Sequence, residues 1–138
     1  LIDEPIKRKR SDPTSFTVDE TGRKATTGYK IEEAWRYISN VRFYPKTGRT
    51  HQIRVHAAHM GHPIVADQKY GGGENRTKGF LPEVTRELHQ VLTIIERHAL
   101  HALILEFVHP ETEKTISFQA PLPEDFIDTI TLLNEKYG

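Results

Sequence analysis

The stretch Thr47-Gly48-Arg49-Thr50-His51-Gln52-Ile53-Arg54-Val55-His56 constrains this chain more than any other, because it sets a cation in an apolar helical face. The spacing predicts a helix over Thr50–Met60, started by the turn Pro45-Lys46-Thr47-Gly48 and closed by Gly61, with Pro63 just beyond. At about 100° per residue, Ile53, Val55, Ala57, Ala58 and Met60 share one broad arc, and Gln52, His56 and His59 fall opposite. Arg54 lies inside the apolar arc, flanked by Ala57 and Ala58. A guanidinium held against a core is costly unless paired, and removing one partner of such a pair costs roughly 3–5 kcal/mol. Arg54 is therefore expected to face a carboxylate or bind a phosphate. Asp67 is one carboxylate within this chain that could serve.

The chain has 138 residues, enough for one modest domain or part of a larger one, and it starts at Leu1 inside what reads as ordered sequence, as a piece of a longer chain would. Nineteen basic and nineteen acidic residues cancel, so the partner class must be read from their distribution. Arg42 to Ala66 holds Arg42, Lys46, Arg49 and Arg54 with no acid, and Lys7-Arg8-Lys9-Arg10 forms a second basic run. The tail after Pro110 is acidic, so a neutral protein can still present a local phosphate-binding face. Absence of cysteine rules out disulfides and thiolate zinc sites and fits a reducing cytoplasm. No apolar run could cross a membrane. His56, His59 and His62 drift around a helix and lack a metal-ligand spacing, so no metal centre is expected.

Leu1–Asp19, with Pro5 and Pro13, reads as irregular. Lys24–Glu33 and Trp35–Tyr44 read as two antiparallel strands, Gln68–Phe80 as a glycine-rich flexible loop, and Pro82–Arg97 as a helix. Ala99–Val108 reads as a buried strand, Lys114–Ala120 as its partner, and Glu124–Tyr137 as an amphipathic terminal helix. The pattern is α+β, a mostly antiparallel sheet with a few flanking helices.

The ten-residue stretch above, followed by Gly61-His62-Pro63-Ile64, Asp67 and Tyr70-Gly71, closely resembles the signature of RluA-type RNA pseudouridine synthases. Gly22-Arg23-Lys24-Ala25-Thr26-Thr27 with Tyr29, Leu100-His101-Ala102 with Leu105 and Phe107, His109-Pro110 and Pro121-Leu122-Pro123 resemble the same family in the same order. The resemblance implies that residues 1–138 are the C-terminal part of a catalytic domain that isomerises uridine to pseudouridine in structured ribosomal or transfer RNA, without a cofactor. The family's catalytic aspartate, in a His-Arg-Leu-Asp stretch followed by Thr-Ser-Gly, precedes this region and is absent from the 138 residues, so the chain alone is expected to be inactive.

Arg54 matches the family arginine that pairs with that aspartate, and the resemblance assigns it the catalytic role. Arg49, Thr50, His51 and Gln52, at the helix start where backbone N–H groups favour phosphate, are the expected RNA contacts. Leu100 matches an aliphatic residue lining the uridine pocket. Ala66 stands where the family usually has glycine. The alternative is a non-catalytic RNA-binding module of the same descent; a metal hydrolase built on the histidines is a third reading and would require bound metal.

Overall fold

The longest hairpin is built from the β-branched and aromatic residues around Tyr29 and Val41. The computed structural model describes residues 1–137 and pairs β4 (Thr26–Ala34) antiparallel with β5 (Ser39–Pro45), Tyr29 opposite Phe43 and Ile31 opposite Val41. A register shift between Ile31 and Glu33 marks a bulge near the end of β4. The second strand does not begin at Trp35 as expected. Trp35 to Ile38 form the turn, closed by Trp35 N–H donating to the Ile38 carbonyl at 2.9 Å. The Trp35 indole instead donates to Asn134 Oδ1 at 3.0 Å, tying the hairpin to the terminal helix.

The proline-containing N-terminal segment carries three short strands rather than irregular chain. β1 (Ile2–Asp3) pairs antiparallel with β4, while β2 (Ile6–Arg8) and β3 (Phe16–Val18) form a separate hairpin with Lys7 opposite Thr17 and Arg8 opposite Phe16. Pro5 separates β1 from β2 and Pro13 sits in the hairpin turn, which explains why each strand is only two or three residues long. Helix α1 (Gln52–His59) packs on β3 and β4. Ile6, Ala25 and Val55 form the small core beneath it.

A second core, Ala66, Val91, Ile95 and Leu133, lies where α2 (Pro82–Ile94) meets α3 (Glu124–Tyr137). Pro82 opens α2 at a position where its missing N–H costs nothing. The helix stops three residues short of the expected Arg97, because Ile95 is already extended (φ −116°, ψ 112°). The expected flexible loop Gln68–Phe80 contains two single-turn 3₁₀ helices, Gln68–Tyr70 and Glu74–Thr77.

β6 (Ile104–Val108) and β7 (Thr115–Gln119) form a third, two-stranded sheet. The expectation of a buried strand fails here: Ala99–Leu103 is not strand, and Ile104, Leu105, Phe107, Val108 and Phe118 are 42–62% exposed. Apolar composition registers the capacity for burial, and in this sheet it has no covering layer. The α+β class with antiparallel sheets stands.

The turn 64–72 is the tightest part of the fold. Ala66 N–H donates to the Gly72 carbonyl and Gly72 N–H to the Asp67 carbonyl, both at 2.8 Å. A Cβ on Gly72 would lie 1.8 Å from the Ile64 carbonyl oxygen, so this position accepts glycine alone. Gly72→Ala is expected to cost at least about 2 kcal/mol by forcing this backbone apart, read as a lowered denaturation midpoint; unchanged stability would contradict the turn geometry.

Candidate active site around Arg54

Helix α1 begins with an unusual residue. His51, at the N-cap, has φ 55° and ψ 21°, left-handed geometry that a non-glycine residue adopts at a cost of order 1 kcal/mol. Its ring shows what stabilises it: Nδ1 lies 2.7 Å from the Tyr70 hydroxyl, and the ring packs edge-on against Phe16 and Tyr70, centroids 5.6 Å apart in each case. Phe16 N–H donates to the Tyr70 oxygen at 3.1 Å, so the single hydroxyl proton of Tyr70 is left to donate to His51 Nδ1. Burial first, then Arg54 and Lys69, push the His51 pKa below its ordinary 6.5, in keeping with a ring that accepts at Nδ1. Burial also raises the Tyr70 phenol, keeping it a donor.

The polar face expected on α1 is largely inside the protein. Gln52 is 4% exposed and His56 fully buried; of the three, only His59 is on the surface. The Gln52 amide donates to the Thr26 carbonyl and to Thr27 Oγ1 (both 2.9 Å), while its oxygen accepts from Thr47 Oγ1 (2.7 Å) and Arg49 N–H (3.0 Å). Thr27 Oγ1 passes its proton towards His56 Nδ1 (2.8 Å), and His56 Nε2–H donates to the Glu4 carbonyl (2.9 Å). Every group is satisfied, which is the condition for burying it. Gln52 is therefore a brace between helix and sheet and not the RNA contact the sequence suggested. His56 has both ring nitrogens committed.

Arg54 is paired within the chain. Nε donates to Asp67 Oδ2 at 2.9 Å and Nη2 to Asp67 Oδ1 at 2.8 Å, a bidentate bond to a carboxylate that is 1% exposed. These bonds raise the already high pKa of Arg54 further. The guanidinium carbon sits 4.9 Å above the Tyr70 ring, a cation–π contact. The carboxylate that the resemblance placed outside these residues is, for the inner edge of Arg54, Asp67. Nη1 has no hydrogen-bond partner among the described residues, and the side chain keeps 14% exposure.

The other expected site residues are spread around this centre. Thr50 is exposed, and half-buried Arg49 donates through Nε to the Lys24 carbonyl at 2.8 Å. Leu100 is half-buried, next to Ala99, whose N–H donates to the Val65 carbonyl at 2.8 Å, which brings this segment beside the Asp67 turn. Asp67 was the carboxylate the sequence offered within this chain, whereas Tyr70 was given no role there; their separation by one 3₁₀ turn is what brings both to Arg54. Ala66, at the position where the family usually has glycine, takes φ 64°, so the backbone form is kept and its methyl is buried.

Oriented guanidinium, buried carboxylate and aromatic platform, carried on an antiparallel scaffold, define a site for orienting an anionic group. No family model matches the sequence. The chain is 39% identical over 137 residues to ribosomal large subunit pseudouridine synthase D of Pasteurella multocida, and 39% over 135 residues to the Vibrio cholerae protein of the same name. These alignments cover 99% and 98% of this chain and 41% and 40% of the relatives. Among solved structures, human RNA pseudouridylate synthase domain containing 1 matches with a TM-score of 0.64 and 25% identity, over 88% of this chain and 47% of that one. Over 98–99% of its length the chain is therefore similar to named RNA pseudouridine synthases. It spans about two-fifths of the length of the curated relatives it matches.

Because Asp67 is buried, Arg54→Ala is expected to destabilise the fold by roughly 3–5 kcal/mol through the unpaired carboxylate, while Arg54→Leu with Asp67→Leu costs less; a denaturant titration comparing the two decides. His51, with its folded pKa below the unfolded 6.5, contributes stability that is present above pH 6.5 and lost as pH falls towards the folded value. His51→Asn, which tolerates φ > 0, should flatten stability over that interval relative to the unsubstituted chain. Parallel pH curves would refute the assignment.

Proposed function

We propose that this chain supplies the Arg54 side of the active site of an RNA pseudouridine synthase acting on ribosomal RNA, and that the enzyme works in the cytoplasm. In that reaction the bond from C1′ to N1 of uridine breaks, the base turns, and C1′ bonds to C5, with the C5 proton replaced by one at N1. No atoms are gained or lost and no cofactor is called for. The target base must leave its stack to be reached.

The observation that carries the reading is the free outer edge of Arg54, held in place by Asp67 and Tyr70 inside a segment shared with named synthases. A guanidinium whose inner edge is locked has one plane in which to meet a second carboxylate, here the family's catalytic aspartate. An adjacent fixed cation keeps that aspartate ionised and aimed. Leu100 would line the uridine pocket, and Arg49, Thr50 and His51 would meet the RNA backbone beside it. A transfer-RNA substrate is the other member of the same reading.

In the intact polypeptide, Arg54→Lys keeps a charge against Asp67 but loses the bidentate plane. It is expected to lower pseudouridine formation at least about 100-fold, the scale of an ångström-sized misplacement, with the fold retained. Near-normal turnover would overturn the role. The 138 residues contain no His-Arg-Leu-Asp stretch, so by themselves they are expected to bind structured RNA without isomerising it. Pseudouridine appearing with this chain alone would contradict the assignment of the second carboxylate.

A further inference from the structure

The β2–β3 hairpin carries Lys7 and Arg8 on β2 and Lys9 and Arg10 at its end, and two adjoining hollows open along it. One, of about 420 Å³, is lined by Lys7 to Ser11, Thr17 and Asp19. The other, of about 310 Å³, runs between β3 and α1 and is lined by Lys9, Phe16, His59, Lys69 and Tyr70 among others. The hollows share Lys9 and Thr17, and Tyr70, over whose ring Arg54 lies, is among the residues lining the second. Among the described residues, none of Lys7, Arg8, Lys9, Arg10 and Lys69 is within ion-pair distance of a carboxylate.

The two nearby acids are occupied by their own turns. Asp12 accepts from Thr14 and Ser15, and Asp19 from Thr21. Lys7 and Lys69 reach only hydroxyls, Thr21 Oγ1 at 3.0 Å and Thr14 Oγ1 at 2.7 Å. Arg8 differs: it lies 4.9 Å over the Phe16 ring and donates to the Pro13 carbonyl, so it holds the hairpin.

We infer that this basic hairpin and groove is a track for the RNA phosphate backbone, leading the strand from Lys7 past Lys9 and Lys69 to the Tyr70–Arg54 site. The inference rests on the proposed function and adds where the RNA lies. A row of unpaired cations along a groove with an aromatic floor fits a continuous polyanion better than a single small anion.

The test is binding of a ribosomal stem-loop transcript to this chain across a salt series. Replacing Lys7, Lys9 and Arg10 together by serine, with Arg8 kept, is expected to weaken binding at least about tenfold and to flatten the salt slope by roughly one unit per cation. The control Lys30→Ser, Lys114→Ser, Lys136→Ser, on other surfaces, should bind as the unsubstituted chain does. On the unsubstituted chain, lysine acetylation read by mass spectrometry should show Lys7, Lys9 and Lys69 protected by RNA and Lys136 not protected. If the chain binds with a salt-dependent affinity but the hairpin variant keeps both slope and affinity, or the three lysines stay reactive, the track is wrong and the synthase reading survives. If the chain does not bind structured RNA at all, that reading falls with it. Displacement of the RNA by an acidic polypeptide at equal charge would assign the hairpin to a protein partner and overturn the proposal.

Discussion

The Arg54–Asp67 pair is the interaction on which the geometry of this site depends. Asp67 has been taken wholly and Arg54 largely out of water, and charges so placed are tolerated only when the geometry is excellent and other bonds are satisfied. Several independent features supply that geometry. The turn 64–72 aims the Asp67 carboxylate, Gly72 permits the turn to close against the Ile64 carbonyl, and Tyr70 supports the guanidinium from beneath. A hydrophobic pair of similar volume would hold the same elements together at lower electrostatic cost. What it would not provide is a cation with one edge locked and the other free, and this is the reason to read the pair as a positioning device.

Helix α1 can serve as a rigid mount because its polar side chains are anchored from the inside. The run from Gln52 through Thr27 and His56 to the Glu4 carbonyl crosses from the helix to β4 and on to the segment after β1. Each donor in it faces an acceptor, so rotating the helix would orphan several buried groups at about 1–3 kcal/mol apiece. The left-handed His51 belongs to the same arrangement: the strain at the helix start is held by a ring wedged between Phe16 and Tyr70. Sites whose side chains are locked in this way keep their reacting groups within the narrow tolerance that chemistry asks for.

The hairpin around Tyr29, the helix bearing Arg54 and the two later amphipathic helices were legible in the sequence, since each is set by local periodicity. The failures share one cause. Gln52 and His56 read as an exposed face because a helical wheel knows nothing of Thr27, Thr26 and Glu4, which stand 25 or more residues away. β6 read as buried because apolar content does not say whether a second layer covers it. Arg54 was correctly read as needing an anion, but choosing between Asp67 and a carboxylate elsewhere required knowing that the 3₁₀ turn folds back over α1. Trp35 has strand propensity, yet its bond to Asn134, 99 residues on, places it in a turn.

If a neutral chain is to bind RNA as proposed, it must separate two electrostatic tasks, and the residues for both lie along one short path. Asp67 cancels the charge of Arg54 at long range, leaving it able to orient a neighbour but poor at attracting a distant strand. In the proposed track, attraction would then fall to Lys7, Lys9, Arg10 and Lys69, which no carboxylate pairs among the described residues and whose field extends over about a Debye length, roughly 8 Å at physiological salt. Tyr70 joins the two regions: its ring bears Arg54, its hydroxyl fixes His51 and receives the Phe16 N–H of the basic hairpin.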